Sequence, residues 1–183
     1  AFRYELTLTA GGYTASETLE NFPLLVRVSA ARINGFDYSL CQSDGKDIQF
    51  TSEDGRTIYP HEIDEWNTGD GEESLVWVRV PLSAGLRFKM KFGDTALSSA
   101  PAYSTNGSVW KDAGYACVYH LNETAGSGTT SYPAYDSSRY GLDAVAKKGS
   151  GGNVSQIVSY EAGAIGRARA LNTGAQWAGN GLV

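Results

Sequence analysis

Between Ile48 and Trp66 the chain reads Ile-Gln-Phe-Thr-Ser-Glu-Asp-Gly-Arg-Thr-Ile-Tyr-Pro-His-Glu-Ile-Asp-Glu-Trp, two runs rich in strand formers on either side of Asp54-Gly55. An Asp-Gly step between such runs marks a tight antiparallel reversal, because its backbone reaches positive φ at little cost. The stretch is therefore expected to be a hairpin. Successive strand side chains alternate faces, so a regular second strand over 57–66 sends Glu62, Asp64 and Trp66 one way and His61, Ile63 and Glu65 the other. Only a β-bulge would break that alternation.

The same period of two recurs along the chain. Leu75, Trp77 and Arg79 alternate with Val76, Val78 and Val80, and Arg87, Lys89 and Lys91 alternate with Leu86, Phe88, Met90 and Phe92. Both runs predict half-buried strands with one wet face. Strands are expected over 4–9, 22–29, 47–51, 57–66, 75–80 and 86–92. The chain of 183 residues has 22 Gly, 11 Tyr, 4 Trp and one Met, a composition suited to short strands and tight turns. The predicted class is all-β, with a jelly-roll-like antiparallel sandwich over 1–95 in which each sheet buries its apolar side against another. A Ser-, Ala-, Thr- and Gly-rich stretch at 96–108 is expected to be a linker, and 109–183 a second β unit.

With 15 basic and 20 acidic residues, a net charge of -5 and no basic run, nucleic acid and anionic membranes are not the expected partners. No apolar stretch approaches the roughly 20 residues of a membrane-spanning helix. The start at Ala1, one residue before an alternating strand pattern and without an initiator Met, is what removal of a signal peptide leaves, although a trimmed chain looks the same. A secreted or cell-surface location is the expectation. Cys41 and Cys117 allow one disulfide in an oxidising compartment, and a buried free thiol at Cys117 is equally compatible with its apolar neighbours. With His61 and His120 the two cysteines form no zinc spacing.

Four motifs carry a resemblance. Asn-Phe-Pro-Leu-Leu-Val-Arg at 21–27, Ser-Asp-Gly-Lys-Asp-Ile-Gln-Phe-Thr at 43–51, Pro-His-Glu-Ile-Asp-Glu-Trp at 60–66 and Val-Trp-Val-Arg-Val-Pro at 76–81 stand in the order found in a secreted bacterial family, domain of unknown function 2341, which residues 1–95 resemble. The pieces at 109–115, 120–123, 136–141 and 163–171 are similar to the opening of a concanavalin A-like, laminin-G-type domain, and the chain is too short to complete one. That resemblance implies a partial second sandwich with open β edges, whose unpaired backbone another chain could cover.

Glu62 and Asp64 also resemble the Glu-x-Asp of laminarinase-type glucanases, in which a further Glu two or three residues on is the general acid/base. Trp66 and Asn67 occupy those positions and neither shuttles protons, so no catalytic residue is expected and the chain is predicted not to be an enzyme. Aromatic rings on strands stack on sugars in lectin-like sandwiches, and Tyr59, Trp66 and Tyr119 are the expected ligand-binding residues, while Trp77 is expected to pack. Asp44, Asp47, Asp54 and Asp136 carry oxygen ligands suited to calcium, but their spacing fits turn capping better. No other cofactor is expected. Asn106-Gly107-Ser108, Asn122-Glu123-Thr124 and Asn153-Val154-Ser155 are glycosylation sequons, and Gly149-Ser150-Gly151-Gly152 is expected to be loop. The functional expectation is a non-catalytic adhesive module whose partner is extracellular glycan or matrix. A second expectation is a subunit that polymerises with copies of itself through open β edges, and a glycoside hydrolase comes last.

Overall fold

The computed structural model describes residues 1–111, 113–123, 131–147 and 158–171. The sequon at 153–155, Thr124 of the second sequon and the glycine run at 149–152 lie outside the described residues. The chain divides into two compact units, Ala1–Tyr115 and Ala116–Val183.

The first unit is the predicted antiparallel sandwich. One sheet has the order β1-β7-β3-β4, built from β1 (Tyr4–Thr9), β7 (Arg87–Phe92), β3 (Gln49–Ser52) and β4 (Ile58–Tyr59). The other has the order β2-β6-β5, built from β2 (Leu19–Val28), β6 (Ser74–Leu82) and β5 (His61–Glu65). The inward positions of the alternating runs fill the core: Val76, Val78 and Val80 from β6, Phe88, Met90 and Phe92 from β7, with Phe50, Val26, Val28 and Ile48. Among the described residues the helical pieces are two single 3-10 turns, Tyr38–Leu40 and Ala102–Ser104.

The expected single strand over 57–66 is instead two strands in different sheets. Thr51 faces Ile58 and Phe50 faces Tyr59 across the turn, where Gly55 takes φ +76°. Pro60 then ends that ladder, since proline supplies no N–H, and its carbonyl accepts from the Arg79 amide at 2.9 Å. From His61 onward the chain pairs with β6. Pro60 is thus a corner where one run of sequence changes sheets, joining the sandwich along that side. On the other side β1 and β2 are the outer strands of their sheets.

The stretch expected to be a linker, together with the expected start of the second unit, belongs to the first unit, whose boundary falls after Tyr115. Tyr103 packs edge-on against His61 with ring centroids 5.7 Å apart, and its hydroxyl accepts from Gln49 Nε2 at 3.1 Å. Gln42 Nε2 donates to the carbonyls of Asp94 and Leu97, both at 2.9 Å. Composition suggested flexibility here, but side chains of the sandwich supply the partners that the segment itself lacks.

In the second unit β8 (Ser131–Ala134) pairs with β9 (Ala144–Lys147), and β10 (Val158–Ala162) pairs with β11 (Arg167–Leu171), both antiparallel. Glu123 and Arg169 form an ion pair at 2.6 Å, with side chains 13% and 3% exposed. Glu123 also accepts from the Tyr135 amide at 2.6 Å, and Arg169 donates to the Pro133 carbonyl. A charge pair this enclosed holds only while each partner satisfies the other.

Cys41 and Cys117 are free thiols, not a disulfide. Cys41 packs against the core of the first unit, and burial pushes its thiol up to about 12, which leaves little thiolate to react.

His61 is 1% exposed, edge-on to Phe50 at 5.4 Å, and its Nδ1 has no hydrogen-bond partner. Burial lowers its pKa from 6.5 to about 4. Between those values the unfolded chain holds the extra proton, so stability is complete above pH 6.5 and falls as pH drops toward 4. Urea unfolding across that window is predicted to lose roughly 3 kcal/mol, and His61→Leu to remove most of the slope; an unchanged slope in the variant would assign it to other groups.

Candidate binding face on the second sheet

The ladder between β5 and β6 contains the bulge that would break strict alternation. Ile63 faces Val76 and Glu65 faces Leu75, so Asp64 is the extra residue. Two residues opposing one shift the pattern by one position. Trp66 therefore turns toward the core, edge-on to Tyr38 with ring centroids 5.3 Å apart at 84°. It does not share the face of Glu62 and Asp64, as a regular strand would require.

That outer face carries Trp77 opposite Glu62 on one side and Leu25 on the other. The indole N–H of Trp77 donates to Asp64 Oδ2 at 3.2 Å. Trp110, from the segment after the Ala102–Ser104 turn, lies against Trp77 with ring centroids 5.4 Å apart at 59°, and its N–H donates to Glu62 Oε2 at 2.9 Å. Tyr115 packs edge-on to Trp110 at 5.5 Å. Trp110 is 3% exposed, whereas Tyr115 is 41% exposed. Two carboxylates thus hold two indoles in place, and the row of rings ends at an exposed phenol.

The three expected ligand residues are not brought together. Tyr59 is 8% exposed in the core, where burial and then the Asp54 charge raise its pKa. Trp66 packs against the same core, its Nε1 buried without a partner. Tyr119 belongs to the second unit, where its hydroxyl donates to the Leu142 carbonyl. The Tyr59 ring is enclosed and offers no face to a sugar, while Trp66 is half-buried with its ring against the core. Trp110 and Tyr115 are not among the ligand residues expected from the sequence, because the piece at 109–115 resembles the opening of the second unit. An aromatic pair with no strand of its own was the available signal.

The aspartates considered for calcium serve backbone amides. Asp44 accepts from Lys46 N at 3.3 Å, Asp54 from Arg56 N at 3.1 Å, and Asp47 from Gln42 N at 2.8 Å and Gly93 N at 3.1 Å. Asp136 accepts from the amides of Val118, Ser138 and Leu142 at 2.8–2.9 Å. Burial raises its pKa, but these bonds outweigh that and hold it below the usual value. Among the described residues no three His, Cys, Asp or Glu side chains gather as metal ligands.

The fold and this face define an antiparallel β-sandwich with an aromatic and carboxylate outer surface. Residues 44–131 match the family model Domain of unknown function (DUF2341). The matched range holds the motifs at 60–66 and 76–81 and all but Ser43 of the one at 43–51, and continues through the segment that carries Trp110; the motif at 21–27 lies before it. Comparison with curated proteins and with solved structures gave no match. No described helix is long and apolar enough to cross a membrane.

If Glu62 acts as an acceptor that braces Trp110, Trp110→Phe, which keeps a smaller aromatic ring but loses the donor, is predicted to cost about 2 kcal/mol in urea unfolding. Glu62→Gln retains an acceptor oxygen and is predicted to cost less than about 1 kcal/mol. A larger loss for Glu62→Gln than for Trp110→Phe would mean that the charge itself matters.

Proposed function

We propose that this chain is a non-catalytic, secreted or cell-surface module for adhesion that binds extracellular glycan or matrix. The observation that carries this reading is the fate of Glu62 and Asp64. The two acids most like a hydrolase pair accept indole N–H bonds from Trp110 and Trp77, a supporting role in which neither needs to move a proton. The rings they hold lead to exposed Tyr115, and an aromatic edge beside polar groups suits the apolar face of a pyranose. The second unit, Ala116–Val183, is read as part of the opening of a concanavalin A-like, laminin-G-type domain.

Polysaccharide pull-down and a glycan array test this reading. The account predicts retention on at least one neutral polysaccharide, about tenfold weaker for Tyr115→Ala, as expected for one stacking ring, with no release of reducing ends. Absence of binding to every glycan would count against it, and release of reducing sugar abolished by Glu62→Gln would replace it with hydrolysis.

A second reading is a subunit of an extracellular filament or envelope assembly joined by strand complementation. It is favoured by the placement of β1 and β2 as outer strands beside a cleft of about 520 Å³ lined by Thr7, Leu8, Leu24, Val26, Ile33 and Phe88 among others. Unpaired strand edges readily accept another strand. Polymers in negative-stain micrographs would support it, and a monodisperse monomer at high concentration would exclude it.

A further inference from the structure

Asn106-Gly107-Ser108 lies in the segment that delivers Trp110 to the outer face, and Asn106 is exposed. The Ser108 amide donates to Asn106 Oδ1 at 3.1 Å, and the Ser108 hydroxyl donates to the same oxygen. Gly107 takes φ +69°, and its carbonyl accepts from the amides of Trp110 at 3.0 Å and Lys111 at 3.1 Å, so the following turn is fixed. Glycine adds no side chain to hinder approach to its own nitrogen.

We propose that Asn106 is a self-modifying position, converted without an enzyme to aspartate and isoaspartate. In the first step the Gly107 backbone nitrogen loses its proton to solvent and attacks Asn106 Cγ, forming a C–N bond. The electron pair displaced from the carbonyl settles on Oδ1. As the carbonyl re-forms, the Cγ–Nδ2 bond breaks, the nitrogen takes up a proton, and ammonia leaves a five-membered succinimide. Water then opens the ring at either carbonyl, giving a side-chain or a backbone carboxylate. The sum is Asn plus water to Asp plus ammonia, with no oxidant or reductant.

Two features of the site favour the slow step. The donors from Ser108 converge on the atom that becomes negative, the arrangement that stabilises an oxyanion. The bonds to the Gly107 carbonyl and to Asn106 Oδ1 restrict the turn on both sides of the attacking nitrogen, which reduces the ordering needed for attack. Asn34-Gly35 is an internal control, because Asn34 is also exposed and Gly35 takes φ +85°, yet no hydrogen bond to the Asn34 side chain occurs among the described residues. The consequence falls on the binding face: isoaspartate lengthens the backbone three residues before Val109, and both products add a negative charge close to Trp110.

Peptide mapping by mass spectrometry of the full chain, incubated in mildly alkaline buffer, tests the proposal. Asn106 is expected to convert about tenfold faster than Asn34, the factor of one well-placed donor at an exposed site. Ser108→Ala should slow Asn106 by about the same factor and leave Asn34 unchanged. In denaturant the two positions should converge, which separates the folded geometry from local sequence even if the variant folds poorly. Faster conversion of Asn34 in the native chain, an unaltered Asn106 rate in Ser108→Ala, or a difference that persists in denaturant would each overturn it.

Discussion

The packing of Trp66 over Gly45 is the contact on which the first unit depends. A Cβ at position 45 would stand 2.5 Å from the indole, and Gly45 takes φ +67°, so both the ring and the backbone require glycine there. Trp66 reaches this place only because Asp64 is bulged out of the ladder. The ring then abuts Tyr38, whose hydroxyl donates to the Val28 carbonyl at 2.6 Å and bonds Ser74 Oγ at 2.8 Å. Two residues beyond Gly45, Asp47 holds the amides of Gln42 and Gly93. One contact thus draws together the turn at 43–47, the end of β5, the start of β6 and the end of β7.

The same bulge shapes the outer face. With Trp66 turned inward, the surface beside Glu62 and Asp64 is left to Trp77 and Trp110, and each indole finds a carboxylate. Each acid accepts from an indole N–H, so both are accounted for by packing before any chemistry is asked of them. The adhesive reading grows from this division: the interior of the sheet consumes Tyr59 and Trp66, and the aromatic surface is built by a segment that has no strand of its own.

Much of the first unit was legible in the sequence because its strands follow a period of two. β1 is found over the predicted 4–9, and β6 and β7 fall where Val76, Val78 and Val80 and Phe88, Met90 and Phe92 mark the inward face. What periodicity could not convey is the partner of each strand. The run at 57–66 looks continuous, yet Pro60 divides it between two sheets, and only tertiary pairing reveals this. The bulge was recognised as the one device that would alter the facing of 64–66, but a bulge has no local signature apart from its partner strand. The role of Trp110 was hidden for the same reason, since a loop residue acquires its meaning from the surface it covers. In the second unit, Glu123 and Arg169 both stand in motif pieces, at 120–123 and 163–171, but their pairing across 46 positions is visible only in the fold.

The most direct test of the central contact is a double-mutant cycle by urea unfolding on Gly45→Ala, Trp66→Ala and the pair. Overpacking against the ring adds to the cost of positive φ in the wild-type background, whereas without the ring only the backbone cost remains. The account predicts that Gly45→Ala destabilises by about 3 kcal/mol alone and by about 1 kcal/mol beside Trp66→Ala, a coupling of about 2 kcal/mol. Additive losses would contradict it, because the two positions would then act independently.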